Sequence, residues 1–135
     1  MSYILDTNAV SALMKGDAKV IARLREVGKA DVAVPQPVLA EIAYGIERLP
    51  RSKRRDHLRE RFELIRAEFA RAAWTDSVSE HFGAIKAALE RRGRRIEDFD
   101  AAIAAHALSS QAILVTANLD DMTRVPDLKV EDWSR

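Results

Sequence analysis

Residues 3–8 have the sequence Tyr3-Ile4-Leu5-Asp6-Thr7-Asn8, and this stretch decides the fold. Three apolar or aromatic residues run directly into a carboxylate, and apolar residues at helical spacing come next. The pattern predicts a buried strand that ends where a helix begins, with Asp6 at the junction. Because ligands of open parallel sheets bind at the carboxyl ends of the strands, Asp6 stands at a position suited to function. The alternative is that Asp6 or Thr7 only caps the following helix.

The length and composition predict one globular domain over residues 1–135. Apolar residues make up 47% of the chain and charged residues 32%, which is typical of a soluble protein. The absence of cysteine excludes disulfides and thiolate metal sites. No apolar run has the length of a signal peptide or a membrane span, so we expect a cytoplasmic location and no membrane partner. A formal net charge of +1 neither favours nor opposes nucleic-acid binding.

Strand patterns recur between helical patterns along the whole chain. The predicted strands are 3–5, 32–34, 113–116 and an edge strand within 128–133. This alternation predicts an α/β fold, with a mostly parallel central sheet of four to five strands flanked by helices.

The helical segments are bounded by caps, glycines and prolines. They cover about 9–15, 17–28, 37–48, 52–70, 75–93 and 99–110. We expect Ser77 and Glu80 to form a capping box, and Asp98 to cap the last helix. That last helix is apolar nearly all round, which predicts that it is buried against the sheet.

Four acids fall where the predicted strands end, where a helix starts or on the flank of an apolar helix face: Asp6, Glu41, Asp100 and Asp121. Brought together at one sheet edge, their carboxylates would repel each other. Hard cations with oxygen ligands, Mg²⁺ or Mn²⁺, would remove that repulsion. A metal ion held in this way can activate water and orient a phosphate, which is the chemistry of phosphodiester hydrolysis. Spacing alone leaves open that some of these acids are only helix caps.

Four stretches in order resemble the motifs of PIN-domain ribonucleases, and most closely those of VapC-type toxins of bacterial toxin–antitoxin pairs. They are YILDTN at 3–8, PVLAEIAYG at 37–45, RRIEDFDAAIAAHA at 94–107, and LVTANLDDM at 114–122 with VPDL at 125–128. The resemblance covers nearly the whole chain. It implies a PIN-like fold and an acidic quartet made of Asp6, Glu41, Asp100 and Asp121.

The resemblance also implies roles for individual residues. Asp6, Asp100 and Asp121 would be direct Mg²⁺ or Mn²⁺ ligands, and Glu41 would bind a second ion or orient water. The supporting residues would be Thr7, Asn8, Thr116, Asn118 and Asp98. Asp120 is the alternative to Asp121, and the register favours Asp121. The chain departs from the family pattern at Ala117, where a basic residue is usual, and at Met122, where an aromatic residue is usual.

Basic residues offer candidate contacts to RNA phosphates. Arg94 and Arg95 lie in the loop just before the acids of the third motif, which makes them the best candidates. The arginines of 48–61 could also grip phosphates, but their positions beside an apolar helix stripe favour packing of their aliphatic stems. The three histidines show no metal-ligand spacing.

The function implied by the resemblance is a Mg²⁺- or Mn²⁺-dependent endoribonuclease that acts as a toxin on an RNA substrate. The chain has more amphipathic helix than a small sheet needs, so we expect interfaces. The resemblance implies two of them, a homodimer face and a groove for a cognate antitoxin. The alternative function is a catalytically silent PIN-like module that binds RNA or protein.

Overall fold

The computed structural model describes residues 1–135 as five strands, seven α-helices and one 3₁₀ turn, Lys29–Asp31. The strands are β1 (Tyr3–Leu5), β2 (Val32–Pro35), β3 (Ala70–Ala72), β4 (Ile113–Val115) and β5 (Val130–Glu131). The helices are α1 (Thr7–Met14), α2 (Ala18–Val27), α3 (Gln36–Glu47), α4 (Lys53–Glu68), α5 (Asp76–Arg91), α6 (Asp98–Ser109) and α7 (Leu119–Met122). No helix has the length and apolarity that crossing a bilayer requires.

The five strands form one sheet in the order β3-β2-β1-β4-β5, and every neighbouring pair is parallel. The predicted α/β fold with a flanked central sheet is therefore confirmed. From β1 the chain first builds one side of the sheet with β2 and β3, and then crosses to the other side with β4 and β5. The order thus reverses between β1 and β4, and such a switch point opens a crevice at the carboxyl ends of the strands.

The two strands at this switch point are buried on both faces. All three residues of β1 and all three of β4 are buried, which explains why each appears in the sequence as a short continuous apolar run. The pairing extends one residue beyond β1, since the Asp6 amide donates to the Val115 carbonyl at 3.1 Å. The backbone of Asp6 is therefore fixed at the edge of the crevice.

Helix α6 lies in the interior, as its apolar sequence predicts. Seven consecutive residues, 101–107, are buried, and the helix packs mainly against α5. Its first turn, from Asp98 to Asp100, and its last two residues lie outside the buried stretch. The acidic start of α6 is therefore accessible at the surface, whereas the middle of the helix is enclosed by the core.

Two predicted helix caps are wrong. Helix α5 is capped by Thr75, whose hydroxyl accepts from the Val78 amide at 3.3 Å, so Ser77 lies inside the helix instead of starting a capping box with Glu80. Asp98 is the first residue of α6 instead of its cap, and it pairs with Lys86 at 3.1 Å. The N-cap of α6 is Glu97, which makes no side-chain capping bond.

The sequence patterns also missed two short elements. Strand β3 begins at residue 70, where the predicted helix over 52–70 ends. The sequence gives no strand signal there, because the residues of β3 are largely exposed and form an edge of the sheet. Helix α7 is a single turn and is too short to show a period. Strand β4 ends at Val115, so Thr116 lies just beyond it, at the edge of the crevice.

Candidate active site

Asp6 both caps a helix and faces the crevice. Its Oδ1 accepts a hydrogen bond from the Ala9 amide at 2.8 Å, which starts α1. Only 4% of the residue is exposed. Burial raises the pKa of the Asp6 carboxyl, and repulsion from Glu41 raises it further, although a hydrogen bond with Thr116 acts in the opposite direction. Asp6 therefore does cap α1, and its buried carboxylate also lies at the site.

Glu41 is held by the residue that follows Asp6. The Thr7 hydroxyl donates to Glu41 Oε1 at 2.5 Å, which joins the first turn of α1 to the middle of α3. Glu41 is half-buried on the flank of α3, as its position beside the apolar face predicts. This contact places the predicted supporting residue Thr7 against the second acid of the set.

Asp121 is held on both of its oxygens. Oδ2 accepts from the Asn118 side-chain amide at 3.2 Å, and Oδ1 lies 3.4 Å from Arg124 Nη1. Asn118 is fixed in turn, because its backbone amide donates to Thr116 Oγ1 at 2.9 Å. Asp120 is exposed and belongs to no such network. The structure therefore brings Asp121, Thr116 and Asn118 to the crevice and leaves Asp120 outside.

Asp100 experiences the other acids most strongly. Burial raises its pKa from 3.8 to about 6, and the charges of Glu41, Asp121 and Asp6 contribute in that order, followed by Glu97. No other side chain donates a hydrogen bond to it, in contrast to the other three acids. The other three predicted acids thus lie within electrostatic reach of Asp100, and no hydrogen-bond donor offsets that repulsion at its carboxylate.

The oxygen ligands suit a hard cation, but they are not arranged as a complete coordination site. All four groups offer oxygen, which Mg²⁺ and Mn²⁺ prefer. The pKa of Asp100 is raised by burial and then by neighbouring negative charge, and a cation would neutralise that charge. Yet no three His, Asp or Glu side chains are grouped closely enough here to hold an ion as they stand. Any ion would therefore need movement of the acids or several waters among its ligands.

The remaining predicted site residues differ in how close they come. The backbone amide of Asn8 bonds to Asp6, but its side chain is exposed and lines a separate small cavity beside Trp133. Arg95 lines a cavity of about 330 Å³ together with Asp98 and Asp121. Arg94 is exposed and makes no ion pair.

Two arginines beside the site were not expected from the sequence. Arg124 contacts Asp121, and Arg92 Nη1 donates to the Arg124 carbonyl at 3.5 Å. The only sequence signal for Arg124 is its spacing of three residues from Asp121, within a segment whose single helical turn was not predicted. Arg92 lies at the end of a predicted helix, where the helix dipole favours a cation, so its position alone did not indicate a role in the site.

Three of the arginines of 48–61, namely Arg55, Arg59 and Arg61, have packing partners. Arg55 and Arg59 both bind Glu47, at 2.6 and 3.0 Å, and Arg61 donates to the Met14 carbonyl at the end of α1. These contacts tie α4 to α3 and α1. They agree with the interpretation that the long side chains support the apolar stripe of α4.

The chain matches known proteins over nearly its whole length. The PIN domain family model matches residues 3–128. Ribonuclease VapC1 of Haemophilus influenzae is 32% identical over all of both chains. The tRNA(fMet)-specific endonuclease VapC of Shigella flexneri is 31% identical over 99% of each. The solved structure of VapBC2 from Rickettsia felis bound to a DNA fragment from its promoter superimposes with a TM-score of 0.89 at 27% identity, over 98% of this chain and 99% of that one.

Proposed function

The chain belongs to the PIN-domain family, and from that premise we propose that it is a Mg²⁺- or Mn²⁺-dependent endoribonuclease, the toxin of a toxin–antitoxin pair. Relatives that match it from end to end are named as ribonucleases and as a tRNA(fMet)-specific endonuclease, which supports nuclease activity on RNA. The nuclease assignment rests on these relatives, and the metal dependence rests on the acids of this chain.

One observation carries the metal dependence. The Asp100 carboxyl has a pKa of about 6 because burial combines with the charges of Glu41, Asp121 and Asp6. Four acids kept together against their own repulsion lower the stability of the folded chain unless a cation neutralises them. Their position at the β1–β4 switch point, where ligands of such sheets bind, supports a bound cation there.

Each acid has a distinct part in this proposal. A bound divalent cation would supply a water nucleophile and stabilise negative charge on the phosphate. Asp6 would be a rigid ligand, because its backbone and one oxygen are already fixed. Asp100 has both oxygens available, and Asp121 is presented by Asn118. Glu41 is oriented by Thr7, and it would accept a hydrogen bond from the attacking water and align it.

Arg94 and Arg95 are proposed to contact the RNA backbone. Both are exposed in the segment that leads into α6, and Arg95 shares its cavity with Asp121. Asp98 lines the same cavity and is held in place by its ion pair with Lys86. Positive charge at that place offsets the repulsion between the acids and a phosphate chain.

An apolar groove is the proposed antitoxin site. It has a volume of about 600 Å³ and lies between the first two helices and α4, lined in part by Leu13, Ile21 and Leu64. Leu64 is 58% exposed there, and a large exposed aliphatic side chain in a groove is typical of a protein interface. The R. felis structure is a complex named VapBC2, which supports a protein partner for this chain.

The homodimer is proposed to use a different surface. Tyr44 is 67% exposed and Phe99 is 48% exposed, next to Glu41 and Asp100 along the chain. Aromatic side chains are enriched in interface cores, so burial of either residue between two copies of the chain would bring two sites into one assembly. Light scattering on the purified chain measures its oligomeric state. A cytoplasmic location stays a prediction.

The alternative is a catalytically silent PIN-like module that binds RNA or protein. One observation favours it, the absence of three acids grouped closely enough to hold an ion. The two functions are separated by incubating the purified chain with RNA and Mg²⁺ or Mn²⁺, with and without a chelator. The enzyme cleaves only with the metal ion, whereas the silent module cleaves under neither condition.

A further inference from the structure

The Arg124 guanidinium lies beside the acids but makes only one long contact with them. The pair between Arg124 Nη1 and Asp121 Oδ1 is 3.4 Å long, outside the usual range for a charged hydrogen bond. The other oxygen of Asp121 is already held by Asn118. A guanidinium carries several N–H donors, and the Arg124 side chain is 31% exposed. Most of its donors are therefore free and accessible at the site.

Two further arginines lie on the same side. Arg92 contacts the backbone of Arg124 through a 3.5 Å hydrogen bond to its carbonyl. Arg95 lines the cavity that contains Asp121, and its own partner, Glu90, is 3.7 Å away on an exposed surface. We define Arg92, Arg95 and Arg124 as the basic edge. It joins residues from the end of α5, the segment before α6 and the segment after α7.

Of the four acids, only Asp121 has a cation within ion-pair distance, and that cation is Arg124. Arg55 and Arg59, which lie near the end of α3, are both occupied by Glu47 at 2.6 and 3.0 Å. The positive charge in direct contact with the acids is thus on the Asp121 side. A phosphate chain that approaches the acids along that side would meet this positive charge.

We propose that the basic edge carries the RNA backbone into the site from the Asp121 side, with Arg124 binding the phosphate nearest to the acids. In the free chain Arg124 rests against Asp121. In the complex its fork of donors turns to the phosphate, which is a better bidentate acceptor than an oxygen at 3.4 Å. This proposal rests on the proposed ribonuclease function.

The test measures binding of a short fluorescein-labelled single-stranded RNA to the full chain carrying Asp6→Asn, so that cleavage does not interfere. Affinity is recorded over a range of salt concentrations. Adding Arg124→Ala or Arg92→Ala should weaken binding and reduce the salt slope by about 0.7 for each lost phosphate contact. Arg124→Lys should keep most of the slope because it keeps the charge.

Arg54→Ala is the matched control, since Arg54 is an exposed arginine of α4 with no ion pair. It removes the same charge from the chain and should leave the slope unchanged. A slope for Arg124→Ala equal to that of the Arg54→Ala control, with thermal stability retained, would overturn the proposal and leave Arg124 as a partner of Asp121 only. Failure of the ribonuclease function itself appears separately, as absence of RNA cleavage by the unmodified chain.

Discussion

Thr7 donates a 2.5 Å hydrogen bond to Glu41, across 34 positions of sequence. The residue that follows the first acid therefore orients the second, and α1 and α3 are joined at the crevice. Since Thr7 begins the helix that Asp6 caps, a shift of α1 would displace both acids together. The geometry of the acidic set thus depends on a hydroxyl that carries no charge itself.

Thr7→Val should misplace Glu41 while leaving the fold intact. Loss of one side-chain hydrogen bond costs about 1 kcal/mol of stability. We expect the rate of RNA cleavage to fall about tenfold, the equivalent of about 1.4 kcal/mol in the barrier. Thr7→Ser retains the hydroxyl and is the control. Equal rates for the Val and Ser variants would show that the contact does not orient Glu41 for the reaction.

Asp100→Asn should change how stability depends on pH in the metal-free chain. The folded pKa is about 6 against an ordinary 3.8, so between these values the folded chain holds a proton that the unfolded chain has released. The wild type therefore loses stability as pH rises through this window, and the loss is complete above about pH 6.

The expected gain for Asp100→Asn above the window is about 1–2 kcal/mol, because a difference worth about 3 kcal/mol is reduced by solvent screening of a half-exposed group. Below the window the gain should vanish. Thermal denaturation with a chelator at several pH values measures it. Asp98→Asn is the control from the same helical turn, since Asp98 pairs with Lys86. A gain of equal size at acidic and neutral pH would contradict the assignment.

Asp121→Asn and Asp120→Asn should differ sharply in activity. Asp121 lies in the network with Asn118 and Arg124, whereas Asp120 is exposed. We expect cleavage to be abolished by the first change and nearly unaffected by the second, with similar thermal stability in both variants. Cleavage rates in Mg²⁺ decide between the two positions, and loss of activity only in Asp120→Asn would reverse the assignment.

Leu64→Asp should prevent antitoxin binding without affecting cleavage. It places a charge in the apolar groove beside Leu13 and Ile21, where burial in an interface would be costly. Co-expression with the cognate antitoxin, followed by pull-down, measures the complex. Arg54→Ala, on the same helix but outside the groove, should bind normally. Retention of the antitoxin by Leu64→Asp would exclude the groove as its site.

The centre of the fold could be predicted because it is governed by burial. Strands β1 and β4 are apolar on both faces, and α6 is apolar nearly all round. Their sequences alone therefore indicate that these elements are buried. Strand β3 could not be found in this way, because Ala70–Ala72 is held by pairing with β2 and has little buried surface. The caps of α5 and α6 depend on where the backbone first turns helical, and several nearby polar residues compete for that position.

The candidate site follows the same division. The four acids could be located from the sequence, since each lies at or near the end of a strong element or on the edge of a helix face. The contacts of Thr7 with Glu41 and of Arg124 with Asp121 depend on side-chain geometry across separate elements. The side chain of Asn8 follows Asp6 by only two positions, yet it turns outward because α1 has already begun.

The most direct test of the metal-dependent ribonuclease is the analysis of RNA ends produced by the wild type and by Asp6→Asn in Mg²⁺ or Mn²⁺. Asparagine keeps an oxygen to accept from the Ala9 amide, so the helix cap and the fold should survive while the charge is lost. We predict new ends with 5′-phosphate and 3′-hydroxyl groups for the wild type, suppressed by a chelator and absent in Asp6→Asn. The same ends appearing at the same rate in Asp6→Asn, or in the presence of the chelator, would contradict the account.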